Sequence, residues 1–358
     1  MIMFYRLLVL LLLSLFFSKE LLLSQEKDNP LSIKGYTEIY YSYDFAEPDS
    51  HIKQSFLYNY NRHNTVNLNL GMLKAEYKTG VIRGNLAFMA GTYANDNMLS
   101  ESETLKHLYE ANVGVKVSRK SDVWIDAGIL PSHIGWESPI GCDYPTLTRS
   151  ITAENTPAFE TGIRFSYLSD DKRWYLSALF LNGWQRIERI KGDNTPAFGH
   201  QITFMPTPSI TLNSSSFIGN DYTSNDKRMR YFHDLYGVFQ INNTFAMTVG
   251  FDVGVEEDER YVDGYSVWYS PVVVLSMRLL SGYQIGLRGE YYSDDNGVML
   301  AYGGEIFSCS INLDKHIGGN VIWRNEARVF HAQRDMFQLN GRKVPSNISL
   351  TTSLAISF

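Results

Sequence analysis

Between residues 131 and 157 the chain collects Ser132, His133, Trp136, Glu137, Asp143, Arg149 and Glu154, with a proline at either end. Three kinds of chemistry could use such a set. Catalysis would need a nucleophile activated by a base. Ser132 and His133 are adjacent, so on an extended strand they point to opposite faces, and no Gly-x-Ser-x-Gly turn is present. The other histidines considered, His63, His107, His200 and His233, fall near strand ends and read as interfacial or loop residues. A metal would need clustered ligands, but His316 near Asp314 has no second His or Cys at ligand spacing. Neither a catalytic group, a metal nor a cofactor is therefore expected. Electrostatics remains. Glu137, Asp143, Arg149 and Glu154 place both signs of charge on one long loop, which could narrow a water-filled passage and bias the ions within it. The bland alternative is a surface flap over a barrel mouth.

The elements that must position this loop are strands. From residue 348 to 358, Ile348, Leu350, Thr352, Leu354, Ile356 and Phe358 alternate with Ser349, Thr351, Ser353, Ala355 and Ser357. Such a period of two marks a strand with one greasy and one wet face. The same two faces recur at 110–117, 159–167, 244–255 and 283–291. Their polar faces carry Arg, Glu and Gly where a dry core would need bulk, so the interior is expected to be wet. Arg83, Glu110, Lys116, Asp126, Glu160, Arg164, Arg288, Glu290, Glu305, Arg324, Glu326 and Arg328 are expected to project into that water. Facing lipid, each Arg or Lys would cost roughly 2–4 kcal/mol at mid-bilayer. A structural ladder of cross-strand ion pairs is the alternative for any one of them.

Connections give an independent test. Short links at 78–80, 119–121, 169–172, 206–208, 242–243, 279–281 and 314–318 alternate with mostly long ones at 46–63, 93–107, 131–157, 185–196, 221–230, 256–264 and 331–346. The link at 293–297 is a short exception. Alternation of tight turns and long loops is the habit of outer-membrane barrels. The tally is about sixteen strands, with fourteen to eighteen compatible with the pattern. The fold class expected is all-β: a transmembrane antiparallel up-and-down barrel whose first and last strands pair, leaving no open edge.

Residues 1–24 read as a signal peptide: Arg6 precedes an apolar run too short to span a bilayer. Residues 25–358 then form a single barrel domain, its third long loop at 131–157. A net charge of −6 argues against a nucleic-acid partner. Cys142 and Cys309 read as unpaired thiols.

Several segments carry a family resemblance: GYTEIYYSYDF (35–45), RHNTVNLNL (62–70), RGNLAFMAGTY (83–93), YEANVGVKV (109–117), DAGILPSHIGWES (126–138), LTRSITAENTPAFETGIRFSY (147–167), LNGWQRI (181–187) and FIGN (217–220). Through these the chain resembles the OmpL-like β-barrel porin family of Bacteroidota-type bacteria. The stretches flanking the long loop are the most specific, and beyond residue 220 only alternation supports the likeness. The resemblance implies a porin-like channel in the outer membrane of a Gram-negative bacterium, passing ions and small hydrophilic solutes. It implies as partners the outer-membrane lipids and the barrel-insertion machinery, and it leaves a homo-oligomer open. A structural or receptor-type barrel without an open pore, or an outer-membrane hydrolase, are the competing readings.

Overall fold

The computed structural model describes residues 29–258, 264–339 and 342–358; the expected signal segment lies outside them. Strands β1 (Leu31–Asp44), β2 (Val66–Lys78), β3 (Ile82–Ala90), β4 (Leu108–Lys116), β5 (Asp122–Pro131), β6 (Phe159–Leu168), β7 (Trp174–Leu181) and β8 (Ala197–Thr207) make half of the wall. The other half is β9 (Ile210–Asn220), β10 (Met229–Gln240), β11 (Phe245–Glu257), β12 (Tyr265–Arg278), β13 (Tyr283–Asp294), β14 (Gly304–Ile317), β15 (Val321–Ala332) and, after a hairpin of β16 (Phe337–Leu339) and β17 (Arg342–Val344), β18 (Ser346–Ser357). Each wall strand pairs antiparallel with its neighbours, and β18 closes on β1 to complete a sixteen-stranded barrel. Tyr36 lies opposite Ser357 and Asp44 opposite Ser349 along that seam. Gly35 and Phe358 exchange backbone hydrogen bonds of 2.7 and 3.0 Å.

Alternation explains the closure. On β18, Ile348, Leu350, Leu354 and Ile356 face outward, while Ser349, Thr351, Ser353 and Ala355 are buried inside. Aromatic residues mark both rims of the outward belt, as barrels in bilayers require. Trp174 stacks on Phe204 at 4.1 Å and Lys315 sits over Tyr283 at the short-turn rim. Phe251, Tyr269 and Tyr291 form a row toward the long-loop rim.

Short and long connections alternate as expected, with two local corrections. The apolar run Val298–Leu300 is not a strand. Its three backbone amides donate to the Asp294 carboxylate at 2.7–2.9 Å, which turns Leu300 into the barrel mouth. The link after β13 is consequently long (295–303) rather than a short exception. Asp314 and His316 lie within β14, not in a turn; β14 runs on to Ile317.

At the long-loop end the interior is apolar. Phe56 and Leu57 from the first loop, Ile151 from the third, Trp184 from the fourth and Phe337 from the eighth pack on the inward side chains of Phe232, Trp268 and Phe330. A short helix α1 (Thr92–Asn97) in the second loop packs Tyr93, Ala94 and Met98 against Leu70 and Met89. These loops draw their tips inward because each carries large apolar side chains that water would penalise.

If the outward assignment is right, Leu350→Arg destabilises the barrel by about 2–4 kcal/mol, as expected for a cation near mid-bilayer. Urea titration of the protein refolded in lipid vesicles reads this; a loss below about 1 kcal/mol would contradict the facing of β18.

Candidate functional site

The third loop, 132–158, enters the barrel and crosses it. It leaves β5, touches β8 to β11, reaches the far wall at β13 to β15, and returns to β6. A flap over the mouth is thereby excluded. His133 starts the crossing, its Nδ1 2.6 Å from Glu160 and its Nε2 2.8 Å from the Ser216 carbonyl. Burial pulls the His133 pKa down, but the adjacent Glu160 carboxylate outweighs it and the net direction is upward. Both ring nitrogens are thus occupied. Ser132 does not meet His133; its Oγ accepts from the Ile134 amide at 3.1 Å.

Inward glycines make seats for the loop. A Cβ at Gly250 on β11 would collide with the Trp136 ring, and one at Gly286 on β13 with the Pro145 carbonyl. A Cβ at Gly199 on β8 would lie 2.7 Å from Nε2 of His133. Gly250 and Gly286 lie in segments whose inward glycines the sequence suggested as room for water; they, and Gly199 with them, are room for the loop.

The loop backbone is then held by wall charges. Arg324 donates to the carbonyls of Gly141 and Tyr144 while paired with Asp314 at 3.0 Å. The Leu147 amide donates to Asn312 at 2.8 Å and to Glu326 at 3.1 Å, and Thr148 donates to Glu326 through both its amide and its hydroxyl. Arg288 donates to the Thr148 carbonyl at 2.5 Å and Arg328 to the Arg149 carbonyl at 2.9 Å. Glu290 accepts from the Ile151 amide at 2.6 Å and bridges to Arg328 at 2.5 Å. Asp252 accepts from the Thr152 hydroxyl. Ser150 then caps helix α2 (Ile151–Glu154) by accepting from the Ala153 amide.

Sequence expectations fare unevenly against this geometry. Arg288, Glu290, Arg324, Glu326 and Arg328 do face inward, but they are buried beneath the loop instead of standing in water. Glu110, Asp126 and Glu160 are buried as well. For the β13–β15 group and for Glu160 the physical reason is the loop, which replaces water as hydrogen-bond partner, whereas Glu110 and Asp126 are enclosed by wall cations, Lys74 on the one and Arg83 and Arg164 on the other. Glu305 is on the outward face near the long-loop rim, since Ile306 and Ser308 take the inward register of β14. Of the four loop charges, Glu137, Arg149 and Glu154 are buried and Asp143 is exposed. Glu137 accepts from the Ser150 amide and hydroxyl; Glu154 accepts from the Tyr58 and Asn59 amides of the first loop. Burial pushes both carboxyls up, against the opposing pull of Arg288 on Glu137 and Arg149 on Glu154.

The wall that the loop does not cover keeps partial access. Arg83 grips Asp126 through Nε at 2.6 Å and Nη2 at 2.5 Å, and lies 4.4 Å over the Trp124 ring. Arg164 reaches the same carboxylate at 3.2 Å. Lys116 pairs with Asp122 at 3.1 Å and Lys74 with Glu110 at 2.6 Å. Side-chain exposures of 26% for Arg83, 21% for Arg164, 26% for Lys116 and 18% for Lys74 separate this arc from the buried ladder opposite. Lys74, Asn312, Asp252 and Glu38, which accepts from Tyr60 at 2.7 Å, were not among the sequence candidates. Their inward parity on alternating strands was the available signal.

Known proteins place this arrangement. A family model described as "Putative beta-barrel porin-2, OmpL-like" matches residues 30–358. That span runs well past residue 220, where the segment resemblance stops. The fold is similar to an anion-selective porin from Comamonas acidovorans, with a TM-score of 0.61 at 7% identity, covering 92% of this chain and 99% of that one. It is similar to OmpT of Vibrio cholerae, described in its trimer form, with a TM-score of 0.62 at 10% identity, covering 92% and 99%. The outer-membrane channel DcaP of Acinetobacter baumannii aligns with a TM-score of 0.61 at 12% identity, covering 92% and 97%. At these identities the likeness is one of fold. No curated protein matches the chain.

Glu326→Ala should release the loop. Removing one partner of a buried, hydrogen-bonded charge set costs about 3–5 kcal/mol. Limited trypsin digestion of the folded barrel is expected to cut after Arg149 in this variant and not in the wild type. Equal protection in both would show that Glu326 does not hold the loop.

Proposed function

The chain belongs to the beta-barrel porin-2, OmpL-like family, and from that premise we propose that it is a passive diffusion channel for ions and small hydrophilic solutes. It is a porin-type barrel of the Gram-negative outer membrane. The observation that carries the proposal is the crossing of the bore by loop 132–158, pinned at its far end by the β13–β15 charges. A sixteen-stranded barrel is wide enough for an aqueous channel. A loop tied across it divides that width and sets the size of what passes. The passage runs along the partly exposed arc of Lys74, Arg83, Lys116 and Arg164, with Asp143 as the exposed loop charge. Glu137, Arg149 and Glu154 shape the constriction from within the loop; the buried ladder acts through the loop's position. Opposed charges at a narrowing order solutes and set ion preference.

On this reading the partners are the lipids around the outward belt, the insertion machinery during assembly, the diffusing solutes and, in a homo-oligomer, further copies of the chain. Catalysis is not assigned to any residue.

In planar bilayers the purified protein should give discrete conductance steps. Deleting residues 138–148, the pinned limb of the loop, should enlarge the steps about twofold or more, since the loop sets the narrowest section. A silent wild type would overturn the channel reading; unchanged steps in the deletion would overturn the loop as its constriction.

A further inference from the structure

Arg149 is the anomaly of the loop. Its backbone neighbours are clamped to the far wall: Thr148 by Glu326 and Arg288, its own carbonyl by Arg328, and Ile151 by Glu290. The side chain does not share in this network. Nε and Nη1 are enclosed without a hydrogen-bond partner, and the residue is only 3% exposed. A buried guanidinium lacking a bonded counter-ion is unusual, because such charges are costly unless paired. The acids around it are already committed. Glu154 serves the first loop and Glu137 serves Ser150.

Besides the Glu154 and Glu137 carboxylates, the groups that act on the guanidinium are phenols. Tyr93 of α1, Tyr109 of β4 and Tyr144 of the loop all lie within its electrostatic reach. None of their hydroxyls has a hydrogen-bond partner among the described residues, and none is among the fully enclosed polar atoms. Burial holds the Tyr93 and Tyr144 phenols in the protonated form, so each can donate. A guanidinium and three phenols therefore gather with no acceptor assigned to any of them. Arg is the side chain best shaped to bind carboxylate or phosphate oxygens through parallel N–H groups.

We propose that Arg149, with Tyr93, Tyr109 and Tyr144, forms a binding site for a small oxyanion, a carboxylate or phosphate group, carried by the solutes that cross this barrel. This rests on the channel reading for its biological use but not for its existence. The loop clamps fix the backbone on either side of Arg149, so the guanidinium cannot withdraw to solvent and is preorganised for an anion.

The test uses the full-length barrel in detergent, titrated calorimetrically with inorganic phosphate, and in bilayers, where reversal potential is read under a potassium chloride gradient. The wild type is expected to bind phosphate and prefer chloride over potassium. Arg149→Gln should weaken phosphate binding about tenfold or more, as loss of a charge-assisted hydrogen bond implies, and shift the reversal potential toward potassium. Arg149→Lys and Tyr144→Phe should each retain part of the affinity; they carry the test if the Gln variant does not fold. Equal phosphate binding in wild type and folded variants, or none in the wild type, overturns the site. Phosphate binding that depends on Arg149 in a barrel without conductance would sink the channel reading and leave the site standing.

Discussion

Everything inside this barrel follows from the need of each backbone amide and carbonyl for a partner. In the wall the strands supply one another, and the β1–β18 seam removes the last free edge. The third loop carries the same demand into the bore, where it has no strand beside it. The wall answers with side chains. Glu326, Glu290 and Asn312 accept from loop amides; Arg288, Arg324 and Arg328 donate to loop carbonyls. Each of these ions is also balanced by a neighbour, as in the run Arg288–Glu290–Arg328. The charges are thus a hydrogen-bonding surface for a crossing chain. Alternatives that treat them as a wet lining miss this use.

The consequence is a bore with two unlike sides. On β13 to β15 charge is dense, paired and enclosed, so it contributes little field of its own to a passing ion. On β3 to β6 two arginines share one carboxylate, and their exposed parts face whatever moves past. On the channel reading proposed above, selectivity falls to the less populated side together with the loop charges that face it. Counting inward charges along the sequence gives no hint of this division.

The strands were legible because a wall with lipid on one face imposes a period of two that no loop imitates for long; β11, β13, β15 and β18 are the clearest cases. Loop lengths were legible for the same reason, as the gaps between such runs. Local exceptions came from short apolar stretches. Val298–Leu300 has a strand-like composition, yet the Asp294 carboxylate gathers its amides into a turn. Glu305 was misassigned because a single charge near a strand end says nothing about parity until the register of Ile306 and Ser308 is known. The docking of the loop was illegible in principle. Leu147 and Glu326 stand 179 residues apart, and no local pattern records that they meet. The glycines at 199, 250 and 286 were visible, but an absent side chain does not reveal which neighbour occupies its place.

That separation has a kinetic side. The groups that receive the third loop belong to β13, β14 and β15, among the last strands to be made, while the loop itself follows β5. Contacts so distant along the chain form late, after much of the entropy of closing the intervening chain has been lost. The loop therefore stays unanchored until the strands that receive it are paired. Loop docking thus depends on the pairing of β13 to β15, and a fault in those strands should be seen as a delay in the loop as well.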